Sequence, residues 1–191
     1  MANVKRVSPA EAKALVDQGW VYVDVRSEPE FEESHPSGSE NVPLLHMGAG
    51  GMTPNPEFMD VMTKAYAKDA KLVIGCKAGG RSLRAATMLL DAGYTNVVDQ
   101  RAGFDGARDA FGSLSEKGWS PAGLPTEKGA TPGATYADVK KRLAGGRRDH
   151  ALARSILRRA DRLEDEGDAR RGRVRVVTTT ATARLPRHFV P

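Results

Sequence analysis

The chain has one cysteine, Cys76, and it stands in "IGCKAGGRSLRAA", residues 74–86. The thiol lies between an apolar run and a helical sequence, in a loop that holds Gly79 and Gly80 and is flanked by Lys77 and Arg81. These residue types in this order suit nucleophilic sulfur chemistry. A free thiol has a pKa of about 8.5, and only the thiolate is a strong nucleophile. Three features favour the anion here. A helix expected to open near Arg81 and Ser82 turns its unsatisfied N–H groups, about half a positive charge, toward the loop. Gly79 and Gly80 let the backbone curl so that successive amides converge on one anion. Lys77 and Arg81 add full positive charges, expected to face solvent at the loop mouth. The blander alternative is a buried small hydrophobe at a strand end, the usual fate of a lone cysteine. A core cysteine, however, gains nothing from two glycines and two cations.

Such a loop needs a strand before it and a helix after it. "KLVIG" (71–75) predicts a strand apolar enough to be buried on both faces, as in a parallel sheet. Ser82 to Ala92 predicts a helix closed by Gly93, with Leu83, Ala86, Leu89 and Leu90 inward. "WVYVDV" (20–25) and "NVVDQ" (96–100) predict two further strands. Ser8-Pro9-Ala10-Glu11 opens a helix as N-cap, N1 proline and capping-box glutamate, burying Ala12, Leu15 and Val16. A helix from Asn55-Pro56 carries Phe58, Val61, Met62 and Ala65 on one face, and "FDGARDAF" (104–111) predicts another. Alternating strands and helices argue for an α/β domain with a mainly parallel sheet, which binds ligands beyond the carboxyl ends of its strands. Cys76 follows its strand directly and belongs at that edge.

Composition limits the function classes. No run approaches the roughly 18 apolar residues of a membrane span. "MANVKRVSPAEAKAL" has no secretory h-region and one cysteine makes no internal disulfide, so a cytoplasmic location is expected. The overall charge of +5 hides an asymmetry. Residues 1–139 hold 14 Lys and Arg against 18 Asp and Glu, a net of −4, whereas residues 140–191 hold 15 against 6, a net of +9. The base changes from mixed Lys and Arg to almost all Arg. The Gly/Pro/Thr-rich "GLPTEKGATPGATY" (123–136) beside this shift reads as a linker.

"CKAGGRS" resembles the active-site loop of the rhodanese family of sulfurtransferases, Cys-x-x-Gly-x-Arg/Ser. "VDVRSEPEFEESHPSGSENVP" (23–43) resembles the family's Asp-x-Arg, Glu-Phe/Tyr, His-x-x-Gly and Asn-Ile/Val-Pro in order. "DAGYTNVVDQRAGFDGARDAF" (91–111) and "GWSPAGLP" (118–125) resemble the stretch after the active-site helix and the family's end. There are departures: Ser34-His35-Pro36 where Gly-His-Ile is frequent, Ser39 for Ala, Ala102-Gly103 for Gly-Gly, and Ala107 for a customary Trp. The Gly-rich segment 44–59 is long for the family and is expected to form a loop bordering the active site.

The resemblance implies an α/β, rhodanese-like three-layer fold with a mainly parallel central sheet flanked by helices, spanning residues 1–125. A Gly/Pro/Thr-rich to basic linker (126–148) and an Arg-rich C-terminal extension (149–191), part helical or disordered, are expected to follow and to be dispensable for stability. It implies a thiosulfate sulfurtransferase-like enzyme with Cys76 as nucleophile, forming a persulfide. Lys77, Ala78, Gly79, Gly80, Arg81 and Ser82 would bind the substrate. Asp24 and Arg26 are supporting residues, either bracing the active loop or forming a structural ion pair, the latter favoured. His35 is expected to be structural. Cys-x4-Arg also differs from the Cys-x5-Arg of the related cysteine phosphatases, whose wider loop encloses a tetrahedral phosphate. Sulfur transfer is the better reading.

The expected partners are a small anionic sulfur donor such as thiosulfate and a thiol or protein sulfur acceptor. No cofactor is expected, and the four scattered histidines have no metal-ligand spacing with Cys76. Met47, Met52, Met59 and Met62 are expected as core or loop filler. The alternative function is a sulfur-carrier or persulfide-sensing module that delivers sulfur to one protein without turnover. In the tail, Leu152, Ile156 and Leu163 recur at helical spacing among arginines. A basic amphipathic helix there could contact nucleic acid or an anionic membrane; a solvated extension is the favoured reading.

Overall fold

The computed structural model describes residues 3–144. Its elements run β1 (Lys5–Val7), α1 (Pro9–Asp17), β2 (Val21–Asp24), α2 (Glu28–Glu33), β3 (His35–Pro36), β4 (Glu40–Asn41), β5 (Leu45–Gly48), β6 (Gly51–Pro54), α3 (Phe58–Ala65), β7 (Lys71–Gly75), α4 (Gly80–Asp91), β8 (Asn96–Gln100), β9 (Gly106–Arg108), β10 (Leu114–Lys117), β11 (Thr126–Glu127) and α5 (Tyr136–Ala144). Five strands form the central sheet in the order β1-β8-β7-β2-β4, and each neighbouring pair is parallel. The expected α/β fold with a parallel sheet flanked by helices is the fold observed.

The period-2 alternation of strand side chains divides the core into two layers. Along β7, Leu72 and Ile74 face a cluster with Phe58, Val61, Met62, Ala85, Ala86 and Leu89 from α3 and α4. Val73 points the other way, toward Val7, Ala12, Tyr22, Val98, Phe104 and Trp119. Each fully buried large side chain contributes about 1.5–3 kcal/mol. With both faces covered, β7 is fixed in register, and so is the point where it delivers the chain to residue 76. No helix among the described residues is long and apolar enough to cross a membrane.

Three expectations need correction. Residues 106–117 do not open a helix: β9 and β10 form an antiparallel hairpin. Gly106 sits at φ +124°, outside helical space. Where a tryptophan would anchor a helix this chain has only the methyl of Ala107, and Phe111 is 94% exposed, so a helix would bury almost nothing. The Gly-rich segment 44–59 is an ordered hairpin, β5 with β6, followed by α3. Met62 is core, as expected, while Met47 and Met52 lie exposed on this hairpin.

The third correction concerns the boundary at residue 125. Residues 126–144 pack on the domain and are not a linker. β11 pairs antiparallel with β3, the Gly129 N–H donates to Glu32 O (2.7 Å), and the Asn41 N–H donates to Ala134 O (2.8 Å). Thr135 Oγ1 accepts the Asp138 N–H at 3.2 Å, capping α5, which buries Tyr136 and Val139 in the cluster with Phe58 and Met62. Lys140 pairs with Glu57 and Arg142 with Glu40. Glycine and proline content suggested a linker, but one cap and two apolar residues three apart suffice to seat a helix. The expected helix at 149–166 and the rest of the Arg-rich extension lie outside the described residues.

Candidate active site

Cys76 is the first residue after β7 and is 2% exposed. Its Sγ accepts the Gly79 N–H at 3.2 Å and lies 3.3 Å from the Ser82 hydroxyl. Gly79 precedes α4 at φ +88°, and no side chain caps that helix. The N–H groups of its first turn have no intrahelical acceptors and stay available at the loop. By contrast, α1 and α2 each open with a capping-box serine and glutamate. The loop itself is fastened by backbone: the Phe104 N–H donates to Cys76 O (2.7 Å) and the Asp105 N–H to Lys77 O (2.9 Å). A Cβ on Gly79 would lie 1.9 Å from Arg101 O, and one on Gly103 would lie 2.4 Å from the Lys77 carbonyl. The departure from Gly-Gly is therefore tolerated at Ala102 but has no room at Gly103.

The electrostatics differ from expectation. Arg81 does not present a free charge to solvent. Its Nη1 and Nη2 donate to the Glu30 carboxylate at 2.7 and 2.8 Å, and the two side chains are only 17% and 11% exposed. Burial alone would raise the Glu30 pKa, but hydrogen bonds from Arg81 and Ser27 bring it down to about 2. Lys77 is exposed, with Nζ 3.6 Å from Asp105. The sulfur thus accepts from the Gly79 amide and donates to the Ser82 hydroxyl oxygen, with the paired cations nearby compensated.

The supporting residues form the structural pair. Among the described residues, the Asp24 carboxylate accepts only from Arg26, from the backbone N–H (3.0 Å) and the guanidinium (2.7–3.1 Å). Burial works against the Arg26 charge, but Asp24 outweighs it and holds the Arg26 pKa above its ordinary value. Arg26 also covers the ring of Phe104, the residue whose N–H donates to Cys76 O, at 4.2 Å. His35 is buried, with Nδ1 2.8 Å from Phe31 O and its ring stacked on Phe31, a structural role as expected.

A family model described as a rhodanese-like domain matches residues 8–110. The chain belongs to the rhodanese-like domain family. Among named rhodanese relatives, Thiosulfate sulfurtransferase 16, chloroplastic, of Arabidopsis thaliana is 36% identical over 63% of this chain and 91% of its own length. Senescence-associated protein DIN1 of Raphanus sativus is 40% identical, and the match spans 49% of this chain and about half (51%) of that protein. The crystal structure of Rv0390 from M. tuberculosis covers 67% of this chain and all of its own, with 26% identity and a TM-score of 0.57.

Sequence reasoning missed two rhodanese-domain residues at this site. Glu30 carried a usable signal, since Ser27-x-x-Glu30 repeats the capping pattern of Ser8-x-x-Glu11. Asp99, fully buried on β8, holds Arg6 Nε at 2.7 Å beneath the loop, and burial raises its pKa against the pull of Ser82 and Arg6. No local pattern marked it. The β5–β6 hairpin meets the site through α2: His46 Nδ1 is 3.5 Å from Glu28, two residues before Glu30. At its base, Leu44, Pro54, Phe58, Met59, Arg84 and Met88 line a cavity of about 140 Å³.

Proposed function

We propose that this rhodanese-like protein is a sulfurtransferase that carries sulfane sulfur as a persulfide on Cys76. The observation that supports it is the contact of Cys76 Sγ with the Gly79 N–H and the Ser82 hydroxyl at the uncapped start of α4. The thiolate attacks the outer sulfur of a donor. With thiosulfate, a Cys76 S–S bond forms, the donor's S–S bond breaks, and sulfite leaves with the bonding electron pair. The product, Cys76–S–S⁻, puts its charge on one terminal sulfur that the amides of residues 77–82 can surround. An external thiol or protein nucleophile then takes that sulfur and regenerates the Cys76 thiolate. No second cysteine exists to resolve the persulfide internally.

The test replaces the nucleophile. Cys76→Ser should reduce thiosulfate:cyanide transfer to the rate in buffer while leaving the melting temperature nearly unchanged, because serine at neutral pH is a poor nucleophile for sulfane sulfur. Mass spectrometry of the unaltered protein after donor treatment should show one added sulfur. Transfer retained by Cys76→Ser would end this reading. Persulfide formation without turnover would point instead to a sulfur carrier.

A further inference from the structure

Four cations beside the Cys76 loop are each matched by a carboxylate. Arg81 is held by Glu30 through two hydrogen bonds, and Lys77 faces Asp105 at 3.6 Å. Arg26 is held by Asp24 at 2.7 Å. Arg6, whose Nη2 would lie 3.3 Å from a Cβ on Gly79, is held by Asp99 at 2.7 Å. A paired charge acts at a distance as a dipole, so a donor gains little from bringing a second negative charge to this loop. Amides directed at one sulfur atom favour one terminal sulfur and are indifferent to the charge of what it is attached to.

We propose that Glu30 and Asp105, by pairing Arg81 and Lys77, set the donor preference of the site toward organic persulfides and against the thiosulfate dianion. The preference rests on the sulfur-transfer reading of Cys76. In the favoured step the Cys76 thiolate attacks the outer sulfur of R–S–SH, a Cys76 S–S bond forms, and R–S⁻ departs with the electron pair. The outer sulfur keeps its proton until solvent takes it. Glu30 stays ionised throughout the neutral range, since its pKa lies at about 2.

The masking can be measured without any sulfur donor. Cys76 is the chain's only cysteine, so alkylation reports on it alone. Iodoacetate and iodoacetamide each form a C–S bond with the same thiolate and expel iodide, so the ratio of their rates cancels the thiolate fraction and reads the local potential. Glu30→Gln should raise the iodoacetate:iodoacetamide ratio roughly three- to tenfold, and Asp105→Asn, at a half-exposed pair, about twofold. Both gains should shrink in about 0.5 M KCl, where the screening length is only a few ångströms. Glu30→Asp, which keeps the charge, should leave the ratio near that of the unaltered protein. The kcat/KM for thiosulfate relative to an otherwise uncharged alkyl persulfide should rise in step. A ratio unmoved by both Glu30→Gln and Asp105→Asn, or persulfide and thiosulfate rates that change together, would overturn the proposal. If Glu30→Gln does not fold, the surface variant Asp105→Asn decides by the same two readouts. Alkylation that shifts as stated with no sulfur transfer from any donor overturns the proposed function and the donor preference with it, while the masking of the cations stands.

Discussion

Residues 76–82 and 126–144 are both rich in glycine and turn residues, and both bend through a left-handed glycine, Gly79 at φ +88° and Gly133 at φ +84°. Their glycines serve different ends. The Cys76 loop is fastened backbone to backbone, with Gly79 against Arg101 O and Gly103 against the Lys77 carbonyl, leaving no space for a side chain. The C-terminal arm makes backbone hydrogen bonds too, but the burial of Tyr136 and Val139 seats it, and nothing lies within 4 Å of where a Cβ on Gly133 would stand. A loop that aims amides at one sulfur atom needs close main-chain contact, so its glycine is a steric requirement. An arm that completes a core needs only to turn, so its glycine is a conformational convenience.

The largest effect should come from removing the arm. Truncation after Lys128 strips Tyr136 and Val139 from the core, about 1.5–3 kcal/mol each or roughly 3–6 kcal/mol together. It also leaves His35 Nε2 without Thr131 Oγ1, its partner at 3.1 Å. Thermal denaturation should show a fall in Tm of roughly ten degrees or more. An unchanged Tm would return residues 126–144 to the status of a linker and remove one side of the comparison.

Gly79→Ala should come next, and should act on chemistry as well as stability. The left-handed conformation costs an alanine about 1–2 kcal/mol. The contact with Arg101 O adds strain that only a main-chain shift relieves, for a total of about 3 kcal/mol or more. That shift carries the Gly79 N–H away from Cys76 Sγ, so alkylation of Cys76 by iodoacetamide should slow by about tenfold or more, since one charge-assisted hydrogen bond is lost. Loss of stability with full reactivity at the sulfur would break the link between this glycine and the site.

What the sequence discloses follows the range of the forces involved. β7 and β8 occupy the expected residues 71–75 and 96–100 because each is built around adjacent apolar, mostly β-branched residues, Leu72-Val73-Ile74 and Val97-Val98. The place of Cys76 follows from β7 alone. α4 begins at Gly80, two residues ahead of the expected start, since a glycine in left-handed space can serve as its N-cap. Glu30 escaped because α2, "EPEFEE", is so acidic that it reads as solvated surface, and its partner Arg81 lies 51 positions away. The charge of the loop is therefore a tertiary property: Lys77 and Arg81 are local in sequence, and Asp105 and Glu30, which pair with them, are not. The same holds for the arm, where composition spoke for a linker and two buried side chains decided otherwise.

Gly133→Ala isolates what remains. Its backbone angle is within a few degrees of that of Gly79, at φ +84° against +88°, so the conformational cost should be the same, about 1–2 kcal/mol. There is no contact to add to it, because nothing lies within 4 Å of the new methyl group. The bend it sits in is shared with the Asp138 carboxylate, which accepts the Gly133 N–H at 3.0 Å and should hold the turn in place. The variant should therefore melt a few degrees lower, by roughly 2–6 °C for a domain of this size. Its iodoacetamide rate at Cys76 should match that of the unaltered protein. A cost as large as that of Gly79→Ala would mean that left-handed geometry alone accounts for both glycines, and that close main-chain approach adds nothing at the sulfur.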